Sequence, residues 1–195
     1  MQNNKACGED SIPVEFLKLP KIPEIILPII NKAFQEGEVP LEWKTQLIIP
    51  IPKKGDLSLC DNYRGIALMS IVAKVFNKLL LFRLRDVLDS KLRIQQNGFR
   101  QNRSTVQHIM VLRSLLENLD KASDESLFVL FIDFKKAFDS IKWPSIAAVL
   151  YAYSVPDKLV KAVMSLYLVL MQKFVLQTVY LMPFYFLLVF CKVIL

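Results

Sequence analysis

Apolar residues recur at helical spacing in two long stretches of the chain. Ile71, Val72, Val75, Phe76, Leu79, Leu80, Leu84, Val87 and Leu88 make one stripe; Val106, Ile109, Met110, Leu112, Leu115, Leu116 and Leu119 make the other. Recurrence at i, i+3 and i+4 marks amphipathic helices whose apolar face is expected to pack as core, with Met110 as core filler. Shorter helical segments precede and follow them. One runs Val14–Leu19 after Ser11 and Pro13, and one runs Glu24–Gln35, where Pro28 predicts a kink or restart and Gly37 an end. Trp143 and Pro144 open a helix through Leu150, and Val155, Pro156 and Asp157 separate it from another that reaches Tyr167.

Strand patterns are fewer. Leu47–Ile51 reads as a strand, the run Pro52 to Asp56 breaks it with turn residues, and Tyr63–Leu68 reads as the returning strand of a long-tipped hairpin. Between the second stripe and Trp143, the apolar run Leu127–Ile132 delivers Asp133. A continuous run of that length suits a strand buried on both faces, ending where ligands gather in open sheets. An ordinary strand-end or helix-capping aspartate reads equally well from this segment alone. Asp139, beyond the strand end, reads as a cap of the next helix. The order helix, hairpin, helix, loop, helix, strand, helix, helix is that of an α+β body.

Charge adds a partner class to this outline. Of the formal +7, residues 41–115 supply 13 Lys and Arg against 5 Asp and Glu, leaving −1 for the rest. A basic central block suggests a polyanion, although charged faces are also simply solvated. With 53% hydrophobic residues in 195, the chain is expected to bury one or two modest cores. Cys7, Cys60 and Cys191 have no paired spacing and His108 is the sole histidine, which argues against a zinc site or a disulfide scaffold and for a reducing compartment. The N-terminal residues Met1 to Lys5 have no apolar signal-like stretch, so secretion is not expected.

Residues 174–191 hold no charge over 18 positions, long enough for a membrane-span candidate, but they include Gln177, Thr178 and Pro183.

Several segments, in order, resemble the reverse transcriptases of non-LTR (LINE-type) retrotransposons. Phe131-Ile132-Asp133-Phe134 leading to Phe138-Asp139-Ser140 resembles motif A of that family. Lys5 to Lys18 resembles its N-terminal motif, and Gly37-Glu38-Val39-Pro40-Leu41-Glu42-Trp43-Lys44 the signature that follows. Ile48 to Asp56 leading to Asn62-Tyr63-Arg64-Gly65-Ile66 resembles the fingers hairpin, and Gln96 to Thr105 the segment before the palm. The resemblance covers about residues 5 to 167, and Val175-Leu176-Gln177 falls where the family begins its next motif.

This resemblance implies an incomplete right-hand polymerase of fingers and partial palm, helix-rich, with a fingers hairpin and the motif A strand. It divides the chain into a reverse transcriptase domain, residues 1–177, and a hydrophobic tail, residues 178–195, read as an out-of-frame or truncated continuation. It implies that Asp133 and the Phe134 carbonyl hold Mg2+, and that Lys53, Lys54 and Arg64 close on the triphosphate of a deoxynucleotide. Phe138 becomes the aromatic gate at the sugar, although it reads equally well as core, while Arg100, Arg103 and Ser104 meet the template backbone. Arg forks onto phosphate oxygens and Lys supplies a point charge, so these types suit those places, although each also serves as a solvated turn residue. Gln96 and Gln107 read as surface residues. If about five basic residues touch single-stranded phosphate, log K falls with a slope of about −3.5 against log salt.

In the family, a later Tyr/Phe-x-Asp-Asp hairpin joins the motif A aspartate, and this sequence has no such motif. Two-metal nucleotidyl transfer needs more than one carboxylate. Asp133 alone is therefore expected to hold Mg2+ weakly, if at all, and the chain to be inactive by itself. RNA template, DNA primer and deoxynucleotides are the implied partners, and nuclear or cytoplasmic location the implied one. Two alternatives stay open: a non-catalytic RNA or RNA:DNA binding module, and a derivative anchored in a membrane by the tail.

Overall fold

The computed structural model describes residues 1–119, 126–135, 137–138, 140–167, 171–176 and 179–180. Two features expected from sequence, the Asp139 cap and nearly all of the 178–195 tail, lie outside these residues. The elements run α1 (Ile22–Glu36), α2 (Leu41–Lys44), β1 (Thr45–Pro52), β2 (Tyr63–Met69), α3 (Ile71–Asp89), α4 (Thr105–Leu119), α5 (Trp143–Ala152), α6 (Asp157–Ser165), β3 (Met171–Leu176) and β4 (Val179–Tyr180). A short 3-10 turn, Val14–Lys18, precedes α1. Mixed helix and sheet is the α+β class expected from the pattern.

The sheet order is β2-β1-β3-β4. β1 pairs antiparallel with β2 from Gln46↔Met69 to Pro52↔Tyr63, which is the long-tipped hairpin. On its other edge β1 pairs parallel with β3, but only from Thr45↔Met171 to Ile48↔Phe174. That short overlap explains how a strand inside a sheet carries Pro50 and Pro52. Lys53 N donates to the Asn62 carbonyl. By alternation, residues 50 and 52 then face the other edge, beyond the last pair with β3, so their missing N–H groups cost no ladder bond.

The core lies between α1, α3 and α6. Phe76, 1% exposed, meets Trp43 with ring centroids 5.3 Å apart, and Ile26, Ile30, Ala33, Leu80, Leu159, Val160 and Ala162 close around them. Pro28 does not restart α1, which runs through it and ends at Gly37 with φ +68°. Arg83 lies over the Phe34 ring at 4.2 Å, covering the apolar flank with a cation–π contact.

An N-terminal strap fixes the start of α3. Asp10 Oδ2 accepts from Ile71 N and Ser70 Oγ accepts from Ala73 N, so two of the helix's unpaired amides are satisfied. Gly8 lies so close to the β2–α3 junction that a Cβ there would be 2.4 Å from the Met69 carbonyl oxygen.

Two expectations are overturned. The motif A strand does not form: residues 126–134 are in no helix or strand and have no ladder partner among the described residues, with Phe128 94% and Phe131 80% exposed. Both edges of β1 are occupied, by β2 and β3, and an apolar run with no strand beside it has nothing to pair with. The second stripe does form a helix, α4, but it buries no residue; Met110 and Ile109 are exposed rather than core. No described element packs across that apolar face, so periodicity foretold the helix and not a partner for it.

Candidate polymerase site

The β1–β2 hairpin presents its charges on a built tip. Gly55 adopts φ +122°, Asp56 Oδ1 accepts from Ser58 N, and Asn62 Nδ2 donates to the Asp56 carbonyl at 2.6 Å. These bonds across the loop give a defined turn rather than a floppy one. The Ser58 bonds hold the Asp56 carboxyl below its ordinary pKa. Lys53 Nζ donates to the Asp61 carbonyl at 3.0 Å. Lys54 and Arg64 are exposed, and Arg64 stands opposite Ile51 in the hairpin register. Three cations thus sit on one hairpin, with the Lys54 and Arg64 charges turned to solvent.

The loop after α3 is tied down by Arg100. Its Nε donates to Asp89 Oδ1 at 2.7 Å, Nη1 to the Arg93 carbonyl at 3.0 Å and Nη2 to the Asp89 carbonyl at 3.2 Å. The side chain is 9% exposed. The guanidinium therefore satisfies the carbonyls at the end of α3 and is not turned outward for phosphate, unlike its neighbours Arg103 and Ser104, which are exposed. The Arg100 hydrogen bond, assisted by the charges of Arg100, Arg103 and Arg85, holds the Asp89 carboxyl below its ordinary pKa and pushes Arg100 up. Arg85 Nη1 also reaches Gln101 Oε1, and His108 Nε2 lies 2.7 Å from the Gln95 carbonyl. The sequence pattern pointed to none of these ties, because Asp89 lies outside the segment that carries Arg100 and no spacing pairs the two.

Asp133 is exposed at the end of its apolar run, and Phe134 beside it is exposed as well. Among the described residues, no group of three His, Cys, Asp or Glu is placed to hold a metal ion. The residues described do not fit a two-metal centre: one solvated carboxylate and one backbone carbonyl leave most of an octahedral Mg2+ shell to water. Phe138 is brought against Phe99, with ring centroids 6.2 Å apart at 81°, and this edge contact links the Gln96–Thr105 loop to the Asp133 segment.

The structure thus brings the Gln96–Thr105 loop and the Asp133 segment together through Phe99 and Phe138, and carries three further cations on the β1–β2 hairpin. The family model for reverse transcriptase (RNA-dependent DNA polymerase) matches residues 51–184. The chain is 29% identical over 169 residues to a 149 kDa protein of transposon TX1 from Xenopus laevis, covering 86% of this chain and 13% of that protein. It is 30% identical over 150 residues to the RNA-directed DNA polymerase from mobile element jockey of Drosophila melanogaster, covering 73% and 16%. It is 24% identical over 152 residues to the Pol polyprotein from retrotransposable element R2 of Popillia japonica, covering 78% and 20%. The chain belongs to the reverse transcriptase family, in its LINE-type, non-LTR retrotransposon branch. It spans a fifth or less of the length of these relatives.

Proposed function

We propose that the chain supplies the fingers and the first part of the palm of a LINE-type RNA-directed DNA polymerase. In this reading it contacts an RNA template, a DNA primer and the triphosphate of a deoxynucleotide, and does not catalyse polymerisation by itself. The observation that carries the reading is the exposed basic hairpin: Lys53 and Lys54 at a loop held by Asp56 and Asn62, and Arg64 on β2 beside it. Cations on such a tip reach phosphate oxygens without first breaking ion pairs of their own. Arg103 and Ser104, exposed on the loop after α3, would meet the template backbone, positioning the strand without reading bases. Arg100 is a brace for that loop, its donors already committed to Asp89 and Arg93.

Asp133 is the one candidate metal-holding side chain in this reading, with the Phe134 carbonyl beside it and Phe138 at the sugar end of the nucleotide. With a single carboxylate, Mg2+ would be held weakly and the separation of two ions would not be fixed. No catalytic step is assigned to the chain on its own. The non-catalytic binding module is the same surface without its chemistry. No helix among the described residues is long and apolar enough to cross a membrane.

Fluorescence anisotropy with a labelled RNA oligonucleotide tests the proposal. K54A, R64A and R103A, each of which removes an outward charge, should weaken binding similarly for every sequence and lower the salt slope by about 0.7 each. Affinity unchanged in the triple variant would refute the proposed surface.

A further inference from the structure

Phe99 has φ +59°, in the left-handed region that a bulky side chain rarely adopts. The turn is braced on its C-terminal side, where Arg100 is bound to Asp89 and Arg93. Phe99 is 74% exposed, so its own burial does not repay the unfavourable backbone. What the ring does have is an edge-to-face contact with Phe138, centroids 6.2 Å apart, on the segment that carries Asp133. A strained backbone beside a braced arginine thus presents an aromatic ring that meets another one.

We propose that Phe99 is a positioning residue for Phe138, fixing that ring where it screens the sugar of the incoming nucleotide and coupling the template-facing loop to the Asp133 segment. The inference rests on the reading of Phe138 given under Proposed function. Phe99 itself touches no nucleotide in this arrangement; it acts through the Phe138 ring. Arg100, as the brace of the turn, belongs to the same device.

Equilibrium dialysis of the full chain with labelled dATP and ATP, in Mg2+ with an RNA template and DNA primer, tests it. A parallel 19F NMR spectrum of chain labelled with fluorophenylalanine follows the Phe138 ring. F99A should shift the Phe138 signal and lower the preference for dATP over ATP by about threefold to tenfold, the range of an aromatic pair. F99Y, which keeps the ring, should restore both. F99A combined with F138A should be no worse than F138A alone. F99A that lowers affinity for both nucleotides equally, or effects that simply add in the double variant, would overturn the positioning role. Wild-type chain that binds neither nucleotide would overturn the nucleotide reading and this role together. A Phe138 signal still shifted by F99A would then show that the ring contact exists without that use.

Discussion

Replacing Gly8 by alanine tests the strap that starts α3. The added Cβ would meet the Met69 carbonyl oxygen at 2.4 Å, the Met69 carbonyl carbon at 2.5 Å and Ser70 N at 2.6 Å. All three are backbone atoms at the β2–α3 junction, so no side chain swings aside and the strap itself must lift. Overpacking of this kind costs about 1–3 kcal/mol. Lifting also withdraws Asp10, whose carboxylate accepts from Ile71 N and Ile12 N, and losing such a cap costs about 1 kcal/mol. The expected total is about 2–4 kcal/mol. At about 2–4 °C per kcal/mol for a domain of this size, G8A should melt about 5–15 °C below wild type in thermal unfolding followed by circular dichroism. D10A alone should lose only about 2–4 °C. The double variant should match G8A, because the lifted strap no longer delivers the carboxylate. G8A melting within about 1 °C of wild type, or the two losses adding in full, would refute the reasoning.

Other consequences follow from the same geometry. The Asp89 carboxyl is held below its ordinary pKa by Arg100, so the stability it contributes is present above the unfolded value of about 4 and is lost as pH falls through the lowered folded value. The melting temperature of wild type should therefore fall more steeply than that of D89N on acidification below about pH 4, and parallel curves would contradict the brace. The exposed run at Phe128, Leu130 and Phe131, unpaired among the described residues, should drive self-association. F128K with L130K should shift the chain toward monomer in sedimentation velocity, and an unchanged distribution would show that this run is not the sticky surface.

The helices were legible because each satisfies its own backbone and needs only one apolar face, which periodicity displays. Ile71–Asp89 accordingly lies where its stripe put it, and Trp143–Ala152 begins at the Trp143 and Pro144 start signal. The hairpin was legible for a similar reason, its turn residues standing between two apolar runs. The Leu127–Ile132 run was not, because a strand exists only through its neighbour, and nothing local to that run reveals that β3 takes the parallel place beside β1. The same holds for α4: the stripe specifies a helix but not what covers it. At the site, Lys54, Arg64 and Arg103 are exposed as a basic central block leads one to expect, yet the inward turn of Arg100 depends on Asp89, eleven residues away and outside any motif. Asp10 was equally hidden, since the amide it caps is 61 residues further along the chain.

The central claim is a polymerase surface that binds template without completing the metal chemistry. Its most direct test combines, in one tube, the salt dependence of RNA template–DNA primer binding with primer extension in Mg2+ and deoxynucleotides. The expected result is binding whose log K falls against log salt with a slope of about −2 to −3, from three or four outward cations, and no extension. Binding that ignores salt would contradict the surface. Extension that disappears in D133N would contradict the claim that one carboxylate is not enough.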